Sequence, residues 1–325
     1  MPADLTVSVV NHNGRETLLA LLASVERELE AAGVTAETVV LDNASEDGSV
    51  AAVQERFPGV RLVEQPFRAG FGANHNRILA ETDGAAVLVL SHDAELEPGA
   101  LGTLLSFLDA MPSAGAVAPR LRYPDGRAQA SAWRFPSPTT AAIGAVTLHK
   151  AGVVQSTGDE PRRVDWAMGA ALLLRREALD QVGPFDEGFF LFSEETDLCR
   201  RLAEAGWETW FVPAAVVVHH DSALRAEVPR ERIAEEWRSR HRYWRKHHSA
   251  AGARAAALLT GTQYAARAGI AAAARRVRPG SFDASFPAKM RLHARSAWRG
   301  PDERGLRELV DEWNAEHAEA KEPAR

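Results

Sequence analysis

The sequence predicts an α/β protein: a Rossmann-like, mostly parallel sheet flanked by helices over residues 1–224, then a basic helical extension over 225–325 with an acidic end. Three observations carry this reading. Leu5–Val10, Thr38–Leu41 and Ala86–Leu90 read as short strands, and the last is a continuous apolar run, as a strand buried on both faces of a parallel sheet requires. Amphipathic segments separate them, giving the βα rhythm of a wound sheet. Each run stops at polar or acidic residues, which places those residues on the strand ends where open α/β sheets bind ligands.

In chain order, Leu5–Val10 is the first strand, and residues 11–16 turn into a helix with Leu18, Leu21, Leu22, Val25 and Leu29 on one face. A dinucleotide-binding turn would need G-x-G-x-x-G here; Gly14 alone is present, which argues against a nicotinamide enzyme. The second strand ends at Asp42 and Asn43. A carboxylate at that edge can accept the N3–H of a pyrimidine base, although both residues are also ordinary turn formers. After a strand at Val60–Glu64, the stretch 68–77 offers Gly70 and Gly72 for close backbone approach, and Arg68 and Asn76 as donors to phosphate or ribose oxygens. Ala86–Leu90 runs into Ser91-His92-Asp93-Ala94-Glu95. Acidic side chains on such a turn can hold a hard divalent cation against a diphosphate; a solvated acidic turn before a helix near Glu95–Pro98 is the plainer alternative.

Leu101–Leu108 reads as a helix and Val117–Arg120 as the start of a strand. Residues 123–161 carry Pro124, Pro136 and Pro138 and no clear period, so they read as a long excursion over the ligand edge that shapes the acceptor side or closes as a lid. The stretch 164–176 combines Trp166, either core or a sugar-stacking platform, with Gly169 and a buried strand. Glu194, Glu195 and Asp197 then open a helix. The helix dipole stabilises carboxylates there, but the preceding aromatic run also supplies the poorly solvated wall that suits a general base. A last apolar strand ends in His219 and His220, and His219 could share a metal with Asp93.

Composition bounds the rest. The single Cys199 cannot form an internal disulfide, the N-terminus shows no signal-peptide pattern, and Arg254 and Arg267 interrupt the alanine-rich stretch, so the expected compartment is the cytoplasm. The net charge of −6 hides an asymmetry: residues 225–300 hold 17 Lys+Arg against 5 Asp+Glu. With Trp237, Tyr243, Trp244 and Trp298 interleaved, this segment suits peripheral contact with an anionic membrane at the inner face of the cell; packing on the domain's own acidic surface is the alternative. No nucleic-acid-binding motif is present, and no nucleic-acid partner is expected.

Seven segments, VSVVNHNGRETL, VVLDNASEDGS, RAGFGANHNR, VLVLSHDAELEPG, VDWAMGAALLLRR, GPFDEGFFLFSEETDLCRRLAEAGW and VVVHH, resemble in order and spacing the inverting family 2 glycosyltransferases of GT-A fold, closest to the bacterial rhamnosyltransferase-like branch. The resemblance implies transfer from a nucleoside-diphosphate sugar, dTDP- or UDP-linked and including dTDP-rhamnose, to a carbohydrate, lipid-linked or small-molecule acceptor in cell-surface glycan synthesis. Tailoring of a natural product, or nucleotide-sugar binding without catalysis, are the alternatives. It implies Mg2+ or Mn2+ on Asp93 and His219, pyrimidine recognition by Asp42, and the base within Glu194–Glu195. Asn11, Asn43, Arg68, Gly70, Asn76, His92, Trp166 and Gly169 complete the expected donor site. Two positions depart from the family. Ser91-His92 precede Asp93 where an Asn or Asp is usual, and the acidic pair is Glu-Glu rather than Glu-Asp, so either glutamate could be the base.

Overall fold

The computed structural model describes residues 4–147, 153–220, 230–278, 280–301 and 304–319. The first half alternates as expected: β1 (Leu5–Asn11), α1 (Arg15–Ala32), β2 (Ala36–Asn43), α2 (Ser49–Arg56), β3 (Arg61–Gln65), α3 (Phe71–Ala80) and β4 (Ala86–Ser91). Strands β3, β2, β1 and β4 lie side by side and parallel, with Asn11 in register with Asp42 and Val10 with Ser91. The polar residues that ended each apolar run therefore stand in one row. Beneath them Leu5, Val7, Val9, Leu88 and Leu90 join Leu18, Leu21 and Leu22 of α1 in the main core.

The chain continues through β5 (Ala94–Leu96), α4 (Ala100–Ala110), β6 (Ala114–Arg122), β7 (Ala128–Gln129), β8 (Ala132–Trp133), α5 (Pro138–Thr147), β9 (Arg162–Val164), β10 (Trp166–Ala167), β11 (Ala171–Arg175), α6 (Arg176–Val182), α7 (Glu194–Glu204) and β12 (Glu208–His219). The sheet order is β3-β2-β1-β4-β11-β6-β12-β5. The expected sheet is present, with β11 antiparallel between β4 and β6, and β5 antiparallel on β12. The β4 run thus has one parallel and one antiparallel neighbour. Its continuous apolar character reports burial of both faces and is blind to strand direction.

Two local readings change. Glu95 does not cap a helix: Ala94–Leu96 pairs with β12, and α4 begins only at Ala100. The excursion at 123–161 is not structureless among the described residues, since it holds β7, β8 and α5; residues 148–152 lie outside them. Pro213 sits where β12 shifts register against β6, between Val212 and Val216, a place where its missing N–H removes no ladder bond.

The C-terminal region forms α8 (Arg230–His247), α9 (Ala250–Val277), α10 (Phe286–Arg299) and α11 (Leu306–Glu319). The alanine-rich α9 starts where the Ser249 hydroxyl accepts from the Gly252 N–H. The expected boundary at 224–225 lies outside the described residues. Trp237, Tyr243 and Trp244 are buried with Phe189, Ala256, Ala257 and Ala297; of the four aromatics offered to a membrane surface, only Trp298 is exposed, at 43%. Side chains of this size contribute roughly 2–3 kcal/mol each on burial, more than a rim contact would. Arg242 and Lys246 pair with Asp186, so basic residues of α8 pack on the loop ahead of α7. No helix among the described residues is long and apolar enough to cross a membrane.

Candidate active site

Asp93 and His219 meet because β5 and β12 pair with Ala94 opposite His219, which sets the two side chains at the sheet edge. His219 Nε2 lies 3.4 Å from Asp93 Oδ1, while its Nδ1 is 3.0 Å from Gln129 Oε1. The Gln129 oxygen can only accept, so it holds the ring with Nδ1 protonated and Nε2 turned to Asp93. Burial alone would raise the Asp93 pKa, but the hydrogen bond and charge of His219, the Ser91 hydroxyl at 2.6 Å and His92 hold it well below the usual carboxylate range. Among the described residues no three His, Cys, Asp or Glu side chains converge as a metal cage. Mg2+ or Mn2+ bound with a nucleotide takes one or two protein ligands and fills its remaining positions with phosphate oxygens and water, and Asp93 with His219 fits that requirement. His92 packs on the start of α1: its Nδ1 is 3.0 Å from Thr17 Oγ1, and a Cβ on Gly14 would come within 2.2 Å of the same nitrogen.

Asn11, Asp42, Asn43 and Arg68 assemble beside this pair. The fully buried Asn11 donates to Asp42 Oδ1 at 3.0 Å, and the Ser45 N–H donates to Oδ2 at 2.8 Å, which fixes the carboxylate plane while leaving each oxygen a lone pair. Asn43 accepts from the Ala69 N–H and donates to the Ala69 carbonyl, tying the 68–70 loop to β2. Arg68 lies 3.8 Å over the Trp313 ring of α11, and Asn314 holds its backbone at both N–H and carbonyl. Gly70 and Gly72 serve internal packing: a Cβ on Gly70 would sit 2.4 Å from the Phe190 carbonyl oxygen, and one on Gly72 2.9 Å from Phe185 Cβ. Asn76 bonds the backbone of Phe185 and the Glu187 carboxylate, which pins that loop and sets Asn76 apart from the donor row.

The acidic helix reaches this edge through β11. Its antiparallel pairing with β4 returns the 166–170 turn to the end of β4, where the Ser91 N–H donates to the Ala170 carbonyl, and the Gly169 backbone N–H donates to the Glu195 carboxylate. Phe192 and Ser193, just ahead of α7, have φ of 69° and 65°, a left-handed conformation that costs on the order of 1 kcal/mol or more for each non-glycine residue. It persists because the Leu191 carbonyl accepts from Ser239, the Ser193 carbonyl accepts from the Asp197 N–H, and Arg232 lies over the Phe192 ring. The strain aims Glu194 and Glu195 inward.

The three carboxylates of this turn have different fates. Glu194 is buried with Oε2 unpartnered, and burial together with the neighbouring Glu195 raises its pKa well above the carboxylate range. Glu195 is half-buried, its Oε2 also without a hydrogen bond, and burial pushes its pKa up to about 7, the charge of Arg240 opposing. Asp197 is fully buried but meets Arg201 at 2.9 Å and Lys246 and His247 at 2.7 Å; these partners outweigh burial and draw it down to about 2. Asp197 therefore clamps α8 onto α7. A depressed carboxylate contributes stability above its unfolded value near 3.8 and loses it as pH falls toward 2, so Asp197→Asn is expected to cost about 2–4 kcal/mol in urea unfolding at pH 7. The gap between variant and wild type closes below pH 4; a full-sized gap at pH 2 would contradict the clamp.

Cys199 is fully buried and its thiol is pushed up to about 11, which removes it as a nucleophile. The sequence reading passed over Gln129, His12 and Arg240. His12 is held by the Asn43 carbonyl at 3.0 Å with its pKa lowered by burial and by Arg68. Gln129 and Arg240 lie 90 and 45 residues from their partners, a separation with no local signature.

The chain matches the model of glycosyl transferase family 2 over residues 6–183. It is 31% identical over 267 residues to an N-acetylglucosaminyl-diphospho-decaprenol L-rhamnosyltransferase of Mycobacterium tuberculosis, covering 75% of this chain and 85% of that protein. In structure it resembles the mannosyltransferase PcManGT of Pyrobaculum calidifontis, solved with GDP-Man and Mn2+, at a TM-score of 0.57 and 19% identity, covering 98% of this chain and 85% of the other. GalNAc-T7, solved with UDP, GalNAc and Mn2+, follows at 0.54 and 16%, covering 99% and 58%. The row of strand ends, the Asp93–His219 pair and the acidic helix thus stand in a GT-A fold, and the chain belongs to glycosyl transferase family 2, in its rhamnosyltransferase-like branch.

Proposed function

We propose that this enzyme is an inverting glycosyltransferase that moves a sugar from a dTDP- or UDP-linked donor, dTDP-rhamnose first among them, to a hydroxyl of a lipid-linked acceptor in cell-surface glycan assembly. The observation that carries the reading is Glu195: a carboxylate with an unpartnered oxygen and a near-neutral pKa, bonded to the turn that adjoins the donor edge. Asp42, fixed by Asn11 and Ser45, accepts from the pyrimidine N3–H. Glu195 takes the acceptor hydroxyl's proton as that oxygen attacks the anomeric carbon from the face opposite the diphosphate. One C–O bond forms, the bond to the diphosphate breaks with its electron pair, and the configuration inverts. Glu194 is the more deeply buried of the two, which leaves Glu195 nearer the open edge as the base. Asp93 and His219 would hold Mg2+ or Mn2+, which supplies neutralisation of the departing diphosphate.

The rhamnosyl donor and prenyl-diphosphate acceptor are taken from the name of the mycobacterial relative. Peripheral contact with an anionic cytoplasmic membrane face through 225–300 belongs to the same proposal, supported by the basic excess there and by exposed Leu258, Ile270 and Trp298. Incubation of the purified protein with dTDP-rhamnose, Mn2+ and a short-chain prenyl diphosphoryl-N-acetylglucosamine should yield a disaccharide by mass spectrometry, with NMR showing the anomeric configuration opposite to the donor's. A retained configuration would overturn the mechanism. Absence of both transfer and hydrolysis across dTDP- and UDP-sugars would overturn the function.

A further inference from the structure

A cavity of about 360 Å3 lies between the 132–166 excursion and helices α8 and α9, within the size range of small-molecule sites. Trp133 and Trp166 form one wall. They are register partners in the small β8–β10 sheet and stack with ring centroids 4.6 Å apart and 27° between planes, both partly exposed. Gln263 of α9 lines the opposite side and is 1% exposed, and neither its Oε1 nor its Nε2 has a hydrogen-bond partner among the described residues. Trp244, also on the lining and buried, leaves its Nε1 unpartnered too. A buried primary amide with both atoms unpaired bears the cost of its lost hydration unless something in the cavity completes it. Arg240 lines the same cavity, and its charge acts on the Glu195 carboxylate; Trp166 lies three residues before Gly169, whose N–H bonds Glu195.

Resting on the glycosyltransferase reading, we propose that this cavity seats the sugar ring of the acceptor, with Gln263 as the residue that recognises it. A pair of neighbouring ring hydroxyls matches the amide: one hydroxyl donates to Oε1 while the other accepts from Nε2, and the C–H face of the ring lies on the indole wall. A secondary acetamido group in its trans form turns its N–H and C=O to opposite sides and cannot satisfy both amide atoms at once. The recognised feature is therefore the diol. The C-terminal helices, which carry Arg240, Trp244 and Gln263, thereby contribute acceptor selection to a donor site centred on the strand ends of the sheet.

The test is Gln263→Leu, assayed with the prenyl diphosphoryl-N-acetylglucosamine acceptor and with an analogue deoxygenated at one ring hydroxyl at a time. Loss of the amide should raise the acceptor KM roughly ten- to a hundredfold, with the donor KM unchanged. At least one deoxy analogue should lose the same factor in wild type and lose nothing further in the variant. The variant should unfold at the same temperature as wild type or higher, because two unpaired polar atoms leave the interior. An unchanged acceptor KM in folded Gln263→Leu overturns the proposal, as does an equal loss for every deoxy analogue in both proteins. Failure of the underlying function shows differently, as a wild-type protein that neither transfers nor hydrolyses any donor.

Discussion

Glu195→Gln is expected to lower kcat/KM by about 100-fold to 10,000-fold while donor binding, measured by calorimetry with the nucleoside diphosphate, stays within twofold. The amide keeps the size of the carboxylate and can still accept from the Gly169 N–H, but it cannot take a proton. The wild-type rate should carry the titration of this group. Its active form is ionised, so kcat/KM falls about tenfold per unit below a pKa of about 7 and is level above it; the variant's residual rate loses that limb. Stability moves the other way. A carboxylate raised in the folded state destabilises it increasingly as pH climbs from the unfolded value of 4.5 toward 7. The glutamine variant should therefore be more stable than wild type at pH 8, by on the order of 1–3 kcal/mol, and equal to it at pH 4. A variant that is both inactive and less stable at pH 8 would mean that Glu195 is paired and structural. If Glu194→Gln is the dead variant and Glu195→Gln is active, the roles are exchanged.

The same helix shows where sequence reasoning stops. Apolar periodicity located β1, β2, β4 and β12 to within about two residues, because burial on both faces leaves a local mark. The ends of those strands put Asp42, Asp93 and His219 at the sheet edge, since that edge follows directly from where an apolar run stops. Periodicity did not separate Glu195 from Asp197. Both open α7 and both suit the helix dipole, and what distinguishes them is Lys246 and His247, brought in from α8. Glycines misled in the same way. Gly70 and Gly72 read as room for a ligand, whereas the close approach they permit is by Phe190 and Phe185 of the loop ahead of α7. The basic, aromatic segment also had two physical readings. The burial of Trp237, Tyr243 and Trp244, with Arg242 and Lys246 on Asp186, turns the aromatic face of α8 into the interior, a result that depends on partners 40 to 60 residues away.

Asp93→Ala is expected to lower turnover by about 1,000-fold or more, because charge developing on the departing diphosphate would lose several kcal/mol of compensation. The fold should tolerate the change. Asp93 lies on a turn after β4, its side chain meets Ser91 and His219 at the sheet edge, and its backbone carbonyl continues to accept from the His220 N–H whatever the side chain. Asp93→Asn separates charge from shape, since the amide can accept from the Ser91 hydroxyl and donate toward His219 while carrying no charge. If the negative charge is what matters, both variants lose transfer to a similar degree and both lose the Mn2+-dependent part of nucleoside-diphosphate affinity in calorimetry. If Asp93 only shapes the turn, Asp93→Asn retains most of the activity. His219→Ala should act in the same direction with a smaller loss, since one carboxylate with phosphate and water oxygens can still retain the ion. Full wild-type turnover after exhaustive chelation would remove the metal from the reaction altogether and leave Asp93 and His219 as a structural pair.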